Sequence, residues 1–96
     1  MKSSVLLICF NRLDFVQDQI EQIPQDRKLY ILQDGLGDKI QYSYEWRQLR
    51  NYLLRNYAED SRVTLMLREK NLGGADGIPN AIDWALQNED RIIVLE

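Results

Sequence analysis

The feature that most constrains the fold is the alternation of four short apolar runs with three longer segments of helical periodicity. The first run, Val5–Phe10, carries no charged residue, as is typical of a strand buried on both faces of a parallel sheet. Right-handed connections between successive parallel strands place helices on both sides of the sheet. The sequence therefore predicts an α/β fold with a parallel four-stranded sheet and helices on both faces.

The remaining strands and the first helix follow from the same periodicity. The first helix starts at Leu13 and ends before Pro24, because a proline disfavours helical backbone in the residue that precedes it. Short apolar or alternating runs predict the other three strands, which are Leu29–Leu32, Val63–Leu67 and Arg91–Leu95.

Capping residues predict the other two helices. Ser43 is the predicted N-cap of a helix that runs to about Ala58, and Arg50 on this helix is expected to face water. Asp76 is the predicted N-cap of the last helix, which places Pro79 in the first turn, where its missing N–H does no harm.

Composition excludes several kinds of chemistry. The chain has no histidine, which excludes a Ser-His-Asp triad, a Cys-His pair and any imidazole metal ligand. The only cysteine, Cys9, lies in an apolar run and is predicted to be a small buried residue in a reducing compartment, the cytoplasm. The basic residues are scattered and the net charge is -3, so we expect no nucleic acid partner.

Polar residues follow each predicted strand, at the edge of an α/β sheet where ligands gather. They are Asn11 and Arg12, then Gln33, Asp34 and Gly35, then the segment Arg68–Asp76, and finally Glu96. Parallel strands end at one edge of the sheet, so these residues are expected to lie within reach of a single small ligand.

Each candidate also has a structural interpretation. Asp34 either accepts hydrogen bonds from a base or a ribose or is a turn aspartate. Asn71 either bonds a ribose or base edge or holds its loop through an Asx turn. Arg12 either meets a phosphate or covers the start of the first helix. Gly73 and Gly74 would let backbone approach a ligand, although the loop lacks the glycine fingerprints of dinucleotide and ATP sites.

Together, four segments resemble a known enzyme family. They are Val5–Arg12, Gln33–Gly35, Asn71–Gly74 and Ile92–Glu96. Their order and spacing are similar to the start of GT-A glycosyltransferases, closest to the family-two-like bacterial enzymes and the N-acetylglucosaminyltransferase I type. In those enzymes strand-N-R, strand-Q-D-G and strand-E-D-D segments occur in this order, and the resemblance covers essentially the whole chain.

The resemblance implies that residues 1–96 form the nucleotide-binding N-terminal part of a glycosyltransferase domain, a Rossmann-like half of the GT-A fold. Asp34 would contact the base, Asn71 with Gly73 would border the ribose, and Glu96 would match the first residue of the acidic segment. The nucleotide-contacting positions that it implies are Phe10, Asn11, Arg12, Asp34, Asn71, Gly73 and Glu96.

The resemblance also implies groups beyond these residues. Two aspartates that would follow Glu96 would hold a divalent cation, Mg or Mn, and an acceptor-binding half would supply the general base. No catalytic residue and no metal ligand is therefore expected within this chain, and the 96 residues alone are expected to be inactive.

The expected ligand is a nucleoside-diphosphate sugar. The acceptor of the parent enzyme is unknown, and a membrane-associated acceptor is one possibility. Self-association is expected through the open edge of the fourth strand. Two other functions stay open at this point, a non-catalytic nucleotide or nucleotide-sugar binding module and an α/β interaction domain without a ligand.

Overall fold

The computed structural model describes residues 3–96, which form one four-stranded sheet and three α-helices. The strands are β1 (Ser4–Cys9), β2 (Leu29–Gln33), β3 (Val63–Leu67) and β4 (Ile92–Leu95), and the helices are α1 (Leu13–Gln22), α2 (Ser43–Tyr57) and α3 (Gly73–Leu86). Every strand pair in the sheet is parallel, which confirms the predicted α/β fold class with a Rossmann-like arrangement.

The strand order β3-β2-β1-β4 contains one reversal. The chain moves outward from β1 through β2 to β3, and then returns to place β4 on the other side of β1. Helices α1 and α2 cover one face of the sheet and α3 covers the other. In doubly wound sheets a crevice opens at such a reversal, outside the carboxyl ends of the strands, and ligands bind there.

Two apolar cores fix the sheet between its helices. On one face Leu7 of β1 packs with Val16 of α1 and Leu49 of α2, and all three side chains are fully buried. On the other face Leu6 packs with Ala81, whose small side chain belongs to α3. Burying one leucine contributes about 1.5–3 kcal/mol, so the sheet is stabilised by well-packed layers on both faces.

Helix α2 is the longest helix, with 15 residues. Ser43 is the first residue of this helix and not its N-cap, because a single turn of 3₁₀ helix at Ile40–Tyr42 runs directly into it. Within residues 3–96 no helix combines the length and the apolar character needed to cross a membrane.

Helix α3 begins at Gly73, three residues before the predicted cap Asp76, so Pro79 lies inside the helix and not in its first turn. The cap comes from another part of the chain. The Asp34 carboxylate accepts hydrogen bonds from the N–H groups of Leu72 and Gly73, at 3.0 and 3.1 Å. A capping contact between distant residues satisfies orphan N–H groups and lets the helix start earlier than local sequence indicates.

Candidate functional site

A cleft of about 490 Å³ lies at the carboxyl ends of the strands. Its volume falls within the range of small-molecule sites, about 300–1,000 Å³. The structure brings all of the predicted nucleotide-contacting residues to this one cleft. They are Phe10, Asn11, Arg12, Asp34, Asn71, Gly73 and Glu96, which follow the ends of all four strands.

Other residues complete the lining of the cleft, and sequence reasoning did not name most of them as site residues. They are Ile8, Cys9, Phe15, Lys39, Gly74 and Ile78. Phe15 lies on α1 and Ile78 on α3, so their presence depends on how these helices pack against the sheet. Largely apolar walls with a few polar groups are typical of sites for organic ligands.

The Asp34 carboxylate is committed mainly to the protein's own backbone. Its Oδ1 accepts hydrogen bonds from the N–H groups of Gly35 and Leu72, and its Oδ2 accepts one from Gly73. Arg68 Nη1 lies 3.5 Å from Oδ1. These bonds agree with the interpretation of Asp34 as a turn aspartate, and they show that it also binds the start of α3. Its Oδ2 retains one further acceptor position.

Asn71 joins the loop after β3 to the loop after β2. Its Nδ2 donates to the carbonyl oxygen of Gly35 at 2.9 Å. The Asn71 side chain is therefore fixed by a bond between two loops and not by an Asx turn. A Cβ on Gly35 would lie 2.5 Å from the carbonyl oxygen of Glu69, so only glycine permits this close approach. Within residues 3–96 the Asn71 amide oxygen accepts no hydrogen bond and is available to a ligand.

Arg12, Gly73 and Glu96 are the exposed members of the predicted set. Asn11 is half-buried and lines both the main cleft and a smaller adjacent pocket. Arg12 is exposed, and its guanidinium lies over the Phe15 ring, 5.1 Å from the centroid. Glu96 is exposed at the cleft margin.

A polar cluster, formed by the buried Gln33 and the half-buried Arg50, supports the loops around the cleft. Gln33 is fully buried, and its Nε2 donates to the carbonyl oxygens of Phe10 and Trp46 at 2.9 and 3.0 Å. Its Oε1 accepts a 2.8 Å hydrogen bond from Arg50 Nε, and Arg50 Nη2 donates to the Arg68 carbonyl oxygen at 2.7 Å. The cluster thereby ties the ends of β1, β2 and β3 to helix α2.

The prediction that Arg50 faces water is therefore wrong. Its guanidinium lies 4.2 Å from the centroid of the Trp46 ring, and Trp46 Nε1 donates to the Asp34 carbonyl oxygen at 2.8 Å. Burial lowers the pKa of the Arg50 guanidinium, and the charge of Glu69 opposes that effect. The sequence did contain a signal for this inward position of Arg50. Gln33 ends an otherwise apolar strand, and a buried amide requires hydrogen-bond partners.

Cys9 is buried, as predicted, and it also lines the cleft, which was not predicted. Its thiol donates to the Leu32 carbonyl oxygen at 3.5 Å. Burial raises the pKa of this thiol to about 12, with a smaller opposing effect from the charge of Arg50. Cys9 therefore stays protonated at neutral pH and contributes packing instead of a nucleophile.

The acidic residues of the cleft do not fit a divalent cation. Within residues 3–96 no three cysteine, aspartate or glutamate side chains come together as a metal-binding group. The two acids that line the cleft are Asp34 and Glu96, and the Asp34 oxygens already accept backbone hydrogen bonds. We therefore assign no metal-dependent step to these residues.

Fold and cleft together define the chain as an α/β protein of Rossmann-like architecture with a cleft beside the reversal of its strand order. Comparison of the chain with protein-family models, curated proteins and solved structures gave no match. The resemblance to GT-A glycosyltransferases accordingly stays a prediction from the sequence.

Proposed function

We propose that the cleft binds a nucleoside-diphosphate sugar and that the chain is the nucleotide-binding portion of a glycosyltransferase. One observation carries the proposal. The residues predicted from four separate strand-end segments all line a single cleft of suitable size beside the reversal of strand order. A ligand with a planar base and a polyhydroxylated ribose suits apolar walls with a few hydrogen-bonding groups.

The available hydrogen-bonding groups fit a base and a ribose. The Asn71 amide oxygen and the remaining acceptor position of Asp34 Oδ2 would accept from ribose hydroxyls or a base N–H. Asn11 offers both a donor and an acceptor from the end of β1. Phe10 and Ile78 supply apolar surface for the base. We assign no catalytic residue, so sugar transfer is proposed for the parent enzyme only.

The proposal includes the cytoplasm as the working compartment. The buried free thiol of Cys9 is compatible with the reducing environment of the cytoplasm.

Titration of the chain with UDP and GDP tests the proposal. We expect saturable binding, with NMR shifts of amides around the cleft, such as those of Asn11 and Gly74. Asn11→Ala should weaken binding roughly two- to tenfold, as expected for one hydrogen bond worth about 0.5–1.5 kcal/mol. Asn88→Ala, at an exposed position after α3, is the matched control and should leave the affinity unchanged.

Asp34→Ala is a weaker test, although we also expect it to remove binding. That substitution takes the cap from α3, so a loss of binding would follow from disruption of the loop as well as from a lost contact. Absence of saturable binding by wild type would overturn the proposal in favour of an interaction domain. Binding that persists equally in Asn11→Ala, with shifts far from the cleft, would also contradict it.

A further inference from the structure

Two cations line the cleft without an ionic partner. Within residues 3–96 neither Arg12 nor Lys39 forms an ion pair. Arg68 differs, since it lies 3.5 Å from Asp34 and also donates to the Gly77 carbonyl oxygen at 2.9 Å. Because Arg68 and Asp34 offset each other, the two unpaired cations exceed the remaining acid of the lining, Glu96.

Arg12 occupies an unfavourable place for a cation. It is the N-cap residue of α1, where an oxygen acceptor is preferred, and its side chain makes no capping hydrogen bond. The positive end of the helix dipole disfavours a guanidinium there. Contact with the Phe15 ring nevertheless holds the group at the cleft. A cation that breaks the local capping rule, with a single ring contact in return, is typical of a functional site.

Lys39 reaches the cleft from a different connection, the one between β2 and α2. Its backbone is fixed on both sides, because its N–H donates to the Leu36 carbonyl oxygen and its carbonyl oxygen accepts from the Tyr42 N–H. The Tyr42 ring packs edge-on against Phe10, with centroids 6.1 Å apart. This contact holds the Lys39 segment beside the end of β1, because Phe10 directly precedes Asn11 and Arg12.

We propose that Arg12 and Lys39 form an anion subsite that takes the diphosphate of the nucleotide ligand. The inference rests on the proposed function and adds a residue, Lys39, that the strand-end segments did not contain. An arginine fork and a lysine point charge are both suited to phosphate oxygens, and a diphosphate offers enough of these oxygens for the two side chains together.

The test is a calorimetric titration of the 96-residue chain, in EDTA, with uridine, UDP and inorganic pyrophosphate, and in parallel with guanosine and GDP. Arg12→Gln and Lys39→Gln should each weaken binding of UDP or GDP, and of pyrophosphate, about tenfold or more, as expected for the loss of a charge-assisted contact. Nucleoside affinity should not change. The loss should shrink as salt is added, because screening weakens exposed charge pairs.

Two further variants sharpen the test. Arg91→Gln removes an exposed cation that precedes the amino end of β4, whereas the cleft lies at the carboxyl ends of the strands. This substitution should change no affinity. Arg12→Lys keeps the charge but loses the fork, and should fall between wild type and Arg12→Gln. Far-UV circular dichroism and melting temperatures verify folding, which these exposed substitutions should preserve.

The possible outcomes separate the two proposals. If nucleotides bind and neither glutamine variant weakens them, the subsite is overturned while the proposed function stands. If pyrophosphate binding depends on both cations and nucleotides bind no more tightly than pyrophosphate, the subsite stands and the proposed function falls. No saturable binding of any probe overturns both.

Discussion

Asp34 is the residue on which most of the cleft geometry depends. Its carboxylate satisfies three backbone N–H groups, one in its own turn and two at the start of α3. Negative charge at a helix N-terminus is favourable, and N–H groups left without partners there would be costly. The sequence left Asp34 with two interpretations, a ligand contact or a turn aspartate. Its partners Leu72 and Gly73 are too distant along the chain for a local pattern to reveal.

Gly73 and Gly74 should respond in opposite ways to substitution by alanine. Gly73 has φ +69°, a left-handed conformation that costs an L-residue about 1–2 kcal/mol, so Gly73→Ala should lower the free energy of unfolding by that amount. A Cβ on Gly74 would meet nothing within 4 Å, so Gly74→Ala should raise the free energy of unfolding by up to about 1 kcal/mol.

Urea denaturation followed by circular dichroism measures both glycine variants, and each serves as the control for the other. Equal destabilisation by the two substitutions would show that backbone conformation is not what distinguishes these neighbouring glycines.

Among the elements, those with local periodicity were predicted well. The four strands and α1 lie within one or two residues of their predicted bounds, because apolar runs and a stop at Pro24 mark them locally. The start of α3 and the position of Arg50 were missed. Both depend on partners elsewhere in the chain, Asp34 for the helix and the fully buried Gln33 for the arginine.

The connection between α3 and β4 is attached to the sheet through Glu89. The hydroxyl groups of Ser4 and Tyr30 donate to its two carboxylate oxygens, and Lys28 Nζ lies 3.9 Å away. These two hydrogen bonds, with a smaller contribution from Lys28, lower the pKa of Glu89 despite some burial. The ionised form of Glu89 is therefore more stable in the folded chain than in the unfolded chain.

This difference predicts a pH-dependent contribution to stability. A carboxyl whose pKa is lower when folded stabilises the fold above its unfolded pKa, near 4.5, and loses that contribution as the pH falls through the folded pKa. Glu89→Gln should therefore cost about 1 kcal/mol at pH near 7, and the difference from wild type should narrow at acidic pH.

Urea denaturation across the pH range measures the effect of Glu89→Gln. Glu21→Gln, at an exposed position on α1, is the matched control and should cost little at any pH. A difference that stays constant below the unfolded pKa of a glutamate would contradict the role given to the ionised Glu89 side chain.

At the scale of the whole molecule, the two edges of the sheet differ in character. The β3 edge exposes Thr64 and is preceded by the half-buried Arg62. The β4 edge exposes apolar side chains instead, with Ile93 46% and Val94 36% accessible. Charged residues discourage pairing of strand edges between chains, whereas an apolar edge favours it. We propose that the chain self-associates through β4, as its sequence predicted.

Size-exclusion chromatography with light scattering tests this proposal. We expect the wild-type chain to show a mass above that of a monomer, increasing with concentration, and Val94→Lys to shift it towards the monomer. Leu54→Lys replaces a leucine on α2 that is more exposed than Val94 and should have no effect. A monomeric wild type at every concentration, or an equal shift by the Leu54 control, would count against pairing through β4.

The Gln33–Arg50 cluster has a consequence for recognition. Hydrogen bonds from these two side chains and from Trp46 connect the carboxyl ends of β1, β2 and β3 to one helix. We therefore expect three walls of the cleft to be ordered before a ligand binds. A preorganised site loses little conformational entropy on binding, so a weak set of contacts gives more affinity than the same contacts on mobile loops. Much of the ordering needed for recognition is thus completed when the chain folds.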